Sequence, residues 1–260
     1  VSPESLREAA GNGDACCIAV QSPNFLGLVE DMPAIAEAAH DAGALAVQVV
    51  AEAVSLGLLA GGGAHDFDVV CGEAQSFGLA PGFGGPHLGF FACREKNIRQ
   101  MPGRLVGETV DGDGRRAFCL TLSTREQHIR RAKATSNICT NQGLMALAAT
   151  VWLESIGGHG LRELATACLT RCESLKRRIT ELGGRWSLAY PDSPTFNEFL
   201  LVGPGSGKAL ARRLADDGVL AGVPSHGWGG SWPDGLLVAV TERTTGAEID
   251  ALIDSLGRVS

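Results

Sequence analysis

The 260 residues, 45% of them hydrophobic and 20% charged, supply ample material for a core, in one large domain or in a medium domain plus a small one. A formal net charge of −7 argues against a nucleic-acid partner, because binding a phosphate backbone needs a basic stripe. No charged-then-apolar leader opens the sequence, and the long apolar run at residues 42–64 carries Gln48 and Glu52 and ends in glycines, which argues against a membrane span and makes the cytoplasm the expected compartment.

In chain order, CIAVQ (Cys17 to Gln21) reads as a strand and Met32 to Ala42 as a helix. ALAVQVV, FDVVCG and HLGFFACR read as further strands. Their continuous apolar character fits strands buried on both faces, so the expected architecture is α/β, a largely parallel sheet with helices on both sides. Pro102 to Arg116 is polar and glycine-rich and is expected to be a loop, with DGDG as a tight hairpin turn; DGDG lacks the downstream carboxylates of a calcium loop. AFCLTLS (Ala117 to Ser123) is one more strand. From Asn141 to about Leu182 the apolar spacing becomes helical, interrupted by GGHG at Gly157 to Gly160, and the domain junction is placed here. RWSLAY, FNEFLLV, KALARRLADDG, LLVAVTE and GAEIDALIDSLG then form a β, β, α, β, α unit.

Eight cysteines without a Cys-x-x-Cys, most with aliphatic neighbours, read as reduced core thiols. Cys168 and Cys172 stand four apart on a helix, but no histidine or further cysteine lies nearby to complete a metal set, so they are assigned to packing and no metal is expected. The cluster KRR at Lys176 to Arg178 reads as the solvated face of a helix.

Three polar segments interrupt the apolar pattern: NFLG at Asn24 to Gly27, GEAQSFG with FGGPHLG, and STREQHIRRAKATSNICTNQ at Ser123 to Gln142. GFGGP has neither the spacing of a dinucleotide fingerprint nor the Gly-Lys-Ser/Thr ending of a phosphate-binding loop. On composition alone the third segment is a charged helix with a polar exit loop.

The order of its residues says more. TREQHIRRAKATSNICTNQ, with MPGRLVGETVDGDGRRAF and FGGPHLGFFA before it, resembles the pyridoxal-phosphate-dependent glycine decarboxylases, the P-proteins of the glycine cleavage system. Within that family the resemblance is to the subunit 1 type found where the enzyme is split into two chains. NFLG followed by ED, GEAQSFG, FNEF and VTE fall in the family's order as well, from about Pro23 to the end.

The resemblance implies the aspartate-aminotransferase-like fold type I of pyridoxal-phosphate enzymes. It implies an incomplete large domain with an interdomain helix at residues 1–160 and a small C-terminal α/β domain at residues 161–260. It implies a complex with subunit 2, which carries the cofactor's Schiff-base lysine, and with the lipoylated H-protein, whose lipoyl group is co-substrate. The loop that carries a His-Lys pair in subunit 2 reads Gly72-Glu73-Ala74-Gln75-Ser76 here, so Glu73, Gln75 and Ser76 mark a degenerate cofactor site and no catalytic residue is assigned. Arg104, Arg125, His128, Arg130, Arg131, Lys133, Asn137, Thr140 and Asn141 are candidates for the pocket or the subunit interface.

The sequence departs from the family pattern in opening at Val1, without the long N-terminal portion, and in carrying Ala51-Glu52-Ala53 where Asp-Pro is usual and TLSTRE where TLQTRE is usual. Two alternatives stay open. An aldimine needs an amine that sheds its proton, and of the four lysines, Lys96, Lys133, Lys176 and Lys208, only Lys133 lies in a polar constellation, which makes a stand-alone enzyme the second reading. An inactive, truncated binding or structural relative is the third.

Overall fold

The computed structural model describes residues 2–11, 14–123, 127–134, 142–230 and 232–258. Helix α1 (Pro3–Ala10) begins where the Ser2 hydroxyl caps the Ser5 amide. Strand β1 (Cys17–Gln21) leads to α2 (Met32–Asp41), which opens with Asp31 capping Ala34 and a proline in its first turn. Met32, Ile35, Ala36 and Ala39 recur at helical spacing and bury one stripe of α2 against Ile18, Val20, Ala46 and Phe67.

Strands β2 (Leu45–Val50), β3 (Val69–Glu73) and β4 (Gly89–Cys93) complete the first sheet, in the order β1-β2-β3-β4. The first three run parallel and β4 returns antiparallel to β3. Register puts Ile18, Ala46, Gln48 and Val50 on the α2 side, and Leu45, Cys71 and Phe91 on the other. That second face is open. Leu45 is 40% and Phe91 38% exposed, so the expectation of strands buried on both sides fails among the described residues. Continuous apolar sequence marks a face that can be buried, not one that this chain itself buries.

A hairpin follows, β5 (Leu105–Val110) and β6 (Arg116–Thr121), which corrects the loop expected from Pro102 to Arg116. The DGDG turn is as read: Asp111 Oδ1 accepts the amides of Asp113 and Arg115. A single turn, α3 (Gln127–Arg130), precedes the helical stretch α4 (Gly143–Glu181), which is two helices meeting at a kink at Gly157 (φ 61°, ψ −178°), the interruption expected at GGHG.

The second sheet holds β7 (Ser187–Leu188), β8 (Glu198–Val202), β9 (Val223–Pro224) and β10 (Leu236–Ala239), all pairs antiparallel in the order β7-β8-β10-β9. Helices α5 (Gly207–Asp216) and α6 (Gly246–Gly257) and the last turns of α4 cover it. Cys172, Leu175 and Ile179 of α4 meet Leu214, Leu236 and Leu256 there, all at most 2% exposed. Among the described residues no helix is long and apolar enough to cross a membrane.

Several local expectations change. Cys168 and Cys172 are core thiols, with burial as the main cause of pKa values pushed up to about 11 and about 12. Cys16, Cys17 and Cys119 are exposed instead. In the KRR cluster Arg177 is exposed with Glu181 at 3.9 Å, Lys176 is partly buried in bonds to Glu173 (2.6 Å) and Thr195 (2.9 Å), and Arg178 pairs with Asp250 at 2.7 Å.

Candidate functional site

The loop of Glu73, Gln75 and Ser76 grows from the end of β3. Glu73 is the strand's last residue, on the open face of the sheet, and β4 returns beside it at Gly89. Gly72 lets the strands close up here, since a Cβ at that position would stand 2.0 Å from the Val50 carbonyl oxygen. Glu73 Oε1 accepts the amide of Gln75 at 2.9 Å and that of Leu88 at 3.1 Å, bridging the two ends of the glycine-rich loop. The half-buried carboxylate is thus satisfied by backbone donors rather than by the arginine that burial of a charge would otherwise call for. Gln75 and Ser76 lie in the turn that follows, and the Ser76 hydroxyl is buried without a hydrogen-bond partner.

The loop leaves this anchor packed on α4. Phe77 stacks on Trp152 with ring centroids 6.0 Å apart, and a Cβ on Gly78 would strike the Trp152 ring at 2.4 Å. Its tip then stands in solvent, where Phe83 is fully exposed.

NFLG is a fastener between the two sheets. Asn24 Oδ1 accepts the amides of Leu26 (2.8 Å) and Leu28 (3.1 Å), while its amide group donates to Glu30 at 2.6 Å. Leu28 bridges Thr195, and Gly27 (φ 82°) lies so close to Glu198 that a Cβ would come within 2.2 Å of its carbonyl oxygen. Phe25 meets Trp228 edge-on at 4.8 Å. Beneath this contact burial, with the nearby Glu52 charge, raises the Glu198 pKa.

Of the remaining candidates, Arg104 is exposed just ahead of β5, His128 and Arg130 lie exposed on α3, and Arg131 and Lys133 are exposed on the turn after it. Arg125, Asn137, Thr140 and Asn141 lie outside the described residues.

The sequence reading missed a charged network at the opposite end of β3. Asp68, 2% exposed, accepts the Ala46 amide (3.1 Å), meets His40 Nε2 at 2.9 Å and pairs with Lys96 at 2.7 Å. Burial by itself raises this carboxyl, yet Lys96, His40 and the Ala46 amide outweigh it and bring its pKa down to about 2. The aspartate at the mouth of a buried strand was the available signal.

A covalently held pyridoxal phosphate does not fit these residues. The loop Gly72 to Ser76 holds no lysine, its Glu73 is bonded to its own loop, Lys96 and Lys176 are committed to carboxylates, and Lys208 is exposed on α5. Lys133 is exposed on the turn after α3.

Comparison with known proteins agrees with the architecture. A protein described as "Probable glycine dehydrogenase (decarboxylating) subunit 1" from Phenylobacterium zucineum (strain HLK1) is 49% identical over 260 residues, 99% of this chain and 58% of the relative. The crystal structure of a glycine decarboxylase (P-protein) of the glycine cleavage system, in inhibitor-bound form, superposes with a TM-score of 0.84 at 44% identity, covering 95% of this chain and 55% of that one. A NifS-like protein from Rickettsia africae ESF-5, 13% identical with a TM-score of 0.68 and covering 98% of this chain and 65% of that one, shares the fold alone, fold type I of the pyridoxal-phosphate-dependent enzymes. This chain spans little more than half the length of the curated relatives it matches. With the glycine cleavage system P-protein model matching residues 2–256, the chain belongs to that family.

Proposed function

We propose that this chain is the non-catalytic, lysine-less subunit of a glycine decarboxylase. In this reading the complex releases carbon dioxide from glycine and transfers the aminomethyl group to the lipoyl arm of H-protein, and the partner subunit 2 holds pyridoxal phosphate covalently. The observation that supports the reading is the loop Gly72 to Ser76, which carries no lysine and whose Glu73 is bonded to the amides of Gln75 and Leu88. A carboxylate there cannot condense with an aldehyde. Residues 1–160 act as the large-domain part and residues 161–260 as the small domain, in the cytoplasm. Arg104, Arg125, His128, Arg130, Arg131, Lys133, Asn137, Thr140 and Asn141 serve the subunit interface or the pocket mouth, where cationic groups attract acidic partners.

Borohydride reduction with pyridoxal phosphate, followed by mass spectrometry of lysine peptides, tests the assignment. The expected result is no stoichiometric adduct on this chain and a full adduct on subunit 2 when both are present. A stoichiometric adduct on Lys133 would overturn it and make the chain a catalyst in its own right.

A further inference from the structure

The β5–β6 hairpin is built as an arm. Its two strands pack on each other and make at most isolated contacts with any other described helix or strand. A two-stranded hairpin without a covering layer is marginal in water. Register sets Val106 directly opposite Leu120, Glu108 opposite Phe118 and Val110 opposite Arg116, so these six side chains share one face. Val106 and Val110 are each 64% exposed, Phe118 61% and Leu120 55%. Such a contiguous apolar patch on a soluble fold marks a surface meant to be covered.

The segments that flank the hairpin in sequence are basic. From Arg99 to Lys133 the sequence carries eight Lys and Arg against four Asp and Glu, in a chain with 22 against 29 overall. Arg116 lies 5.0 Å above the Phe118 ring and pairs with Glu108 at 2.9 Å, holding a cation at the patch edge. A few residues after the hairpin in sequence come His128, Arg130 and Lys133, all exposed.

We propose that the β5–β6 hairpin is the arm by which this chain docks on a second polypeptide, the partner subunit, through an apolar groove with an acidic rim. This rests on the subunit reading above. The arm stands clear of its own sheet, as an element that reaches across to another chain must. Its basic surroundings in an acidic protein supply the charge complementarity that orients such an encounter.

The test uses the 260-residue chain with subunit 2 from the same source, followed by analytical ultracentrifugation at low and high salt and by hydrogen exchange. The wild-type chain is expected to bind, more weakly at high salt, with protection gained across Leu105 to Thr121. Val106→Asp combined with Leu120→Asp should weaken binding by roughly tenfold or more with an unchanged circular dichroism spectrum. Thr109→Asp, on the opposite face, should not. Equal binding by the double variant, or no gain of hairpin protection in the wild-type complex, overturns the arm; the second readout stands even if the double variant fails to fold. Self-association lost in the double variant would make the occupant a second copy and overturn the proposal equally. A borohydride adduct confined to subunit 2, with hairpin variants that still bind, would sink the arm and leave the subunit reading standing. An adduct on Lys133 without association would sink both.

Discussion

Glu73 does with its own carboxylate what a bound anion does in a phosphate loop: it collects converging backbone amides. Its two bonds, to Gln75 and Leu88, close a loop of glycines that has little else to fix its ends. Removing the acceptor leaves two partly buried donors unpaired, at a cost of about 1–3 kcal/mol. Glu73→Ala is therefore expected to lower the urea midpoint and to speed exchange of the Gln75 and Leu88 amides, while Glu73→Gln, which keeps an acceptor oxygen, loses less. Unchanged exchange in the alanine variant would mean that the Phe77–Trp152 stack alone holds the loop. Sequence located this site only through a missing lysine. That the carboxylate would turn back on its own loop depends on how β4 returns beside β3, which residue order does not reveal.

At the scale of elements, most of the fold was legible because its signals are local. The strand expected at Cys17 to Gln21 has those bounds, and the helix expected at Met32 to Ala42 ends one residue earlier. Strand β5 was not legible, since LVGETV between glycine-rich segments has no apolar run and gains its structure from pairing with β6. The break at GGHG was legible for the converse reason: a glycine cluster reads as an interruption, and Gly157, at φ 61° and ψ −178°, is where two helical stretches meet at a kink. NFLG, a polar segment in the sequence, ties the two sheets together, a role that residue types alone do not reveal because side-chain capping and ligand binding use the same ones. The joint makes its own prediction. Gly27→Ala would force a Cβ to 2.2 Å from the Glu198 carbonyl oxygen at a φ of 82°, so it should cost about 2–3 kcal/mol in chemical denaturation. An alanine variant as stable as wild type would show that the loop can leave Glu198 freely.

For the molecule as a whole, the Asp68 network decides how the first sheet meets acid. One carboxylate ties together α2 through His40, β2 through the Ala46 amide and the turn after β4 through Lys96. Its pKa of about 2 lies below an unfolded value of roughly 3.9, so folding favours the ionised form. The resulting stability is fully present above the unfolded value and is lost as pH falls through the folded one. Its size is on the order of 2 kcal/mol, a fraction of a marginal total that a domain does not lose silently. Asp68→Asn removes the charge while keeping the shape. At neutral pH the variant should melt earlier than wild type by that free energy, and the gap should narrow as the medium is acidified and vanish below about pH 2, where the wild-type carboxyl is protonated as well. A gap that stays constant over the whole acid range would assign the loss to packing and not to the charge. Lys96 offers an independent check, because its ammonium is mostly exposed and its removal leaves no buried cation behind. Lys96→Met should therefore raise the Asp68 pKa and shift the onset of acid unfolding upward, with little change in stability once that carboxyl is protonated.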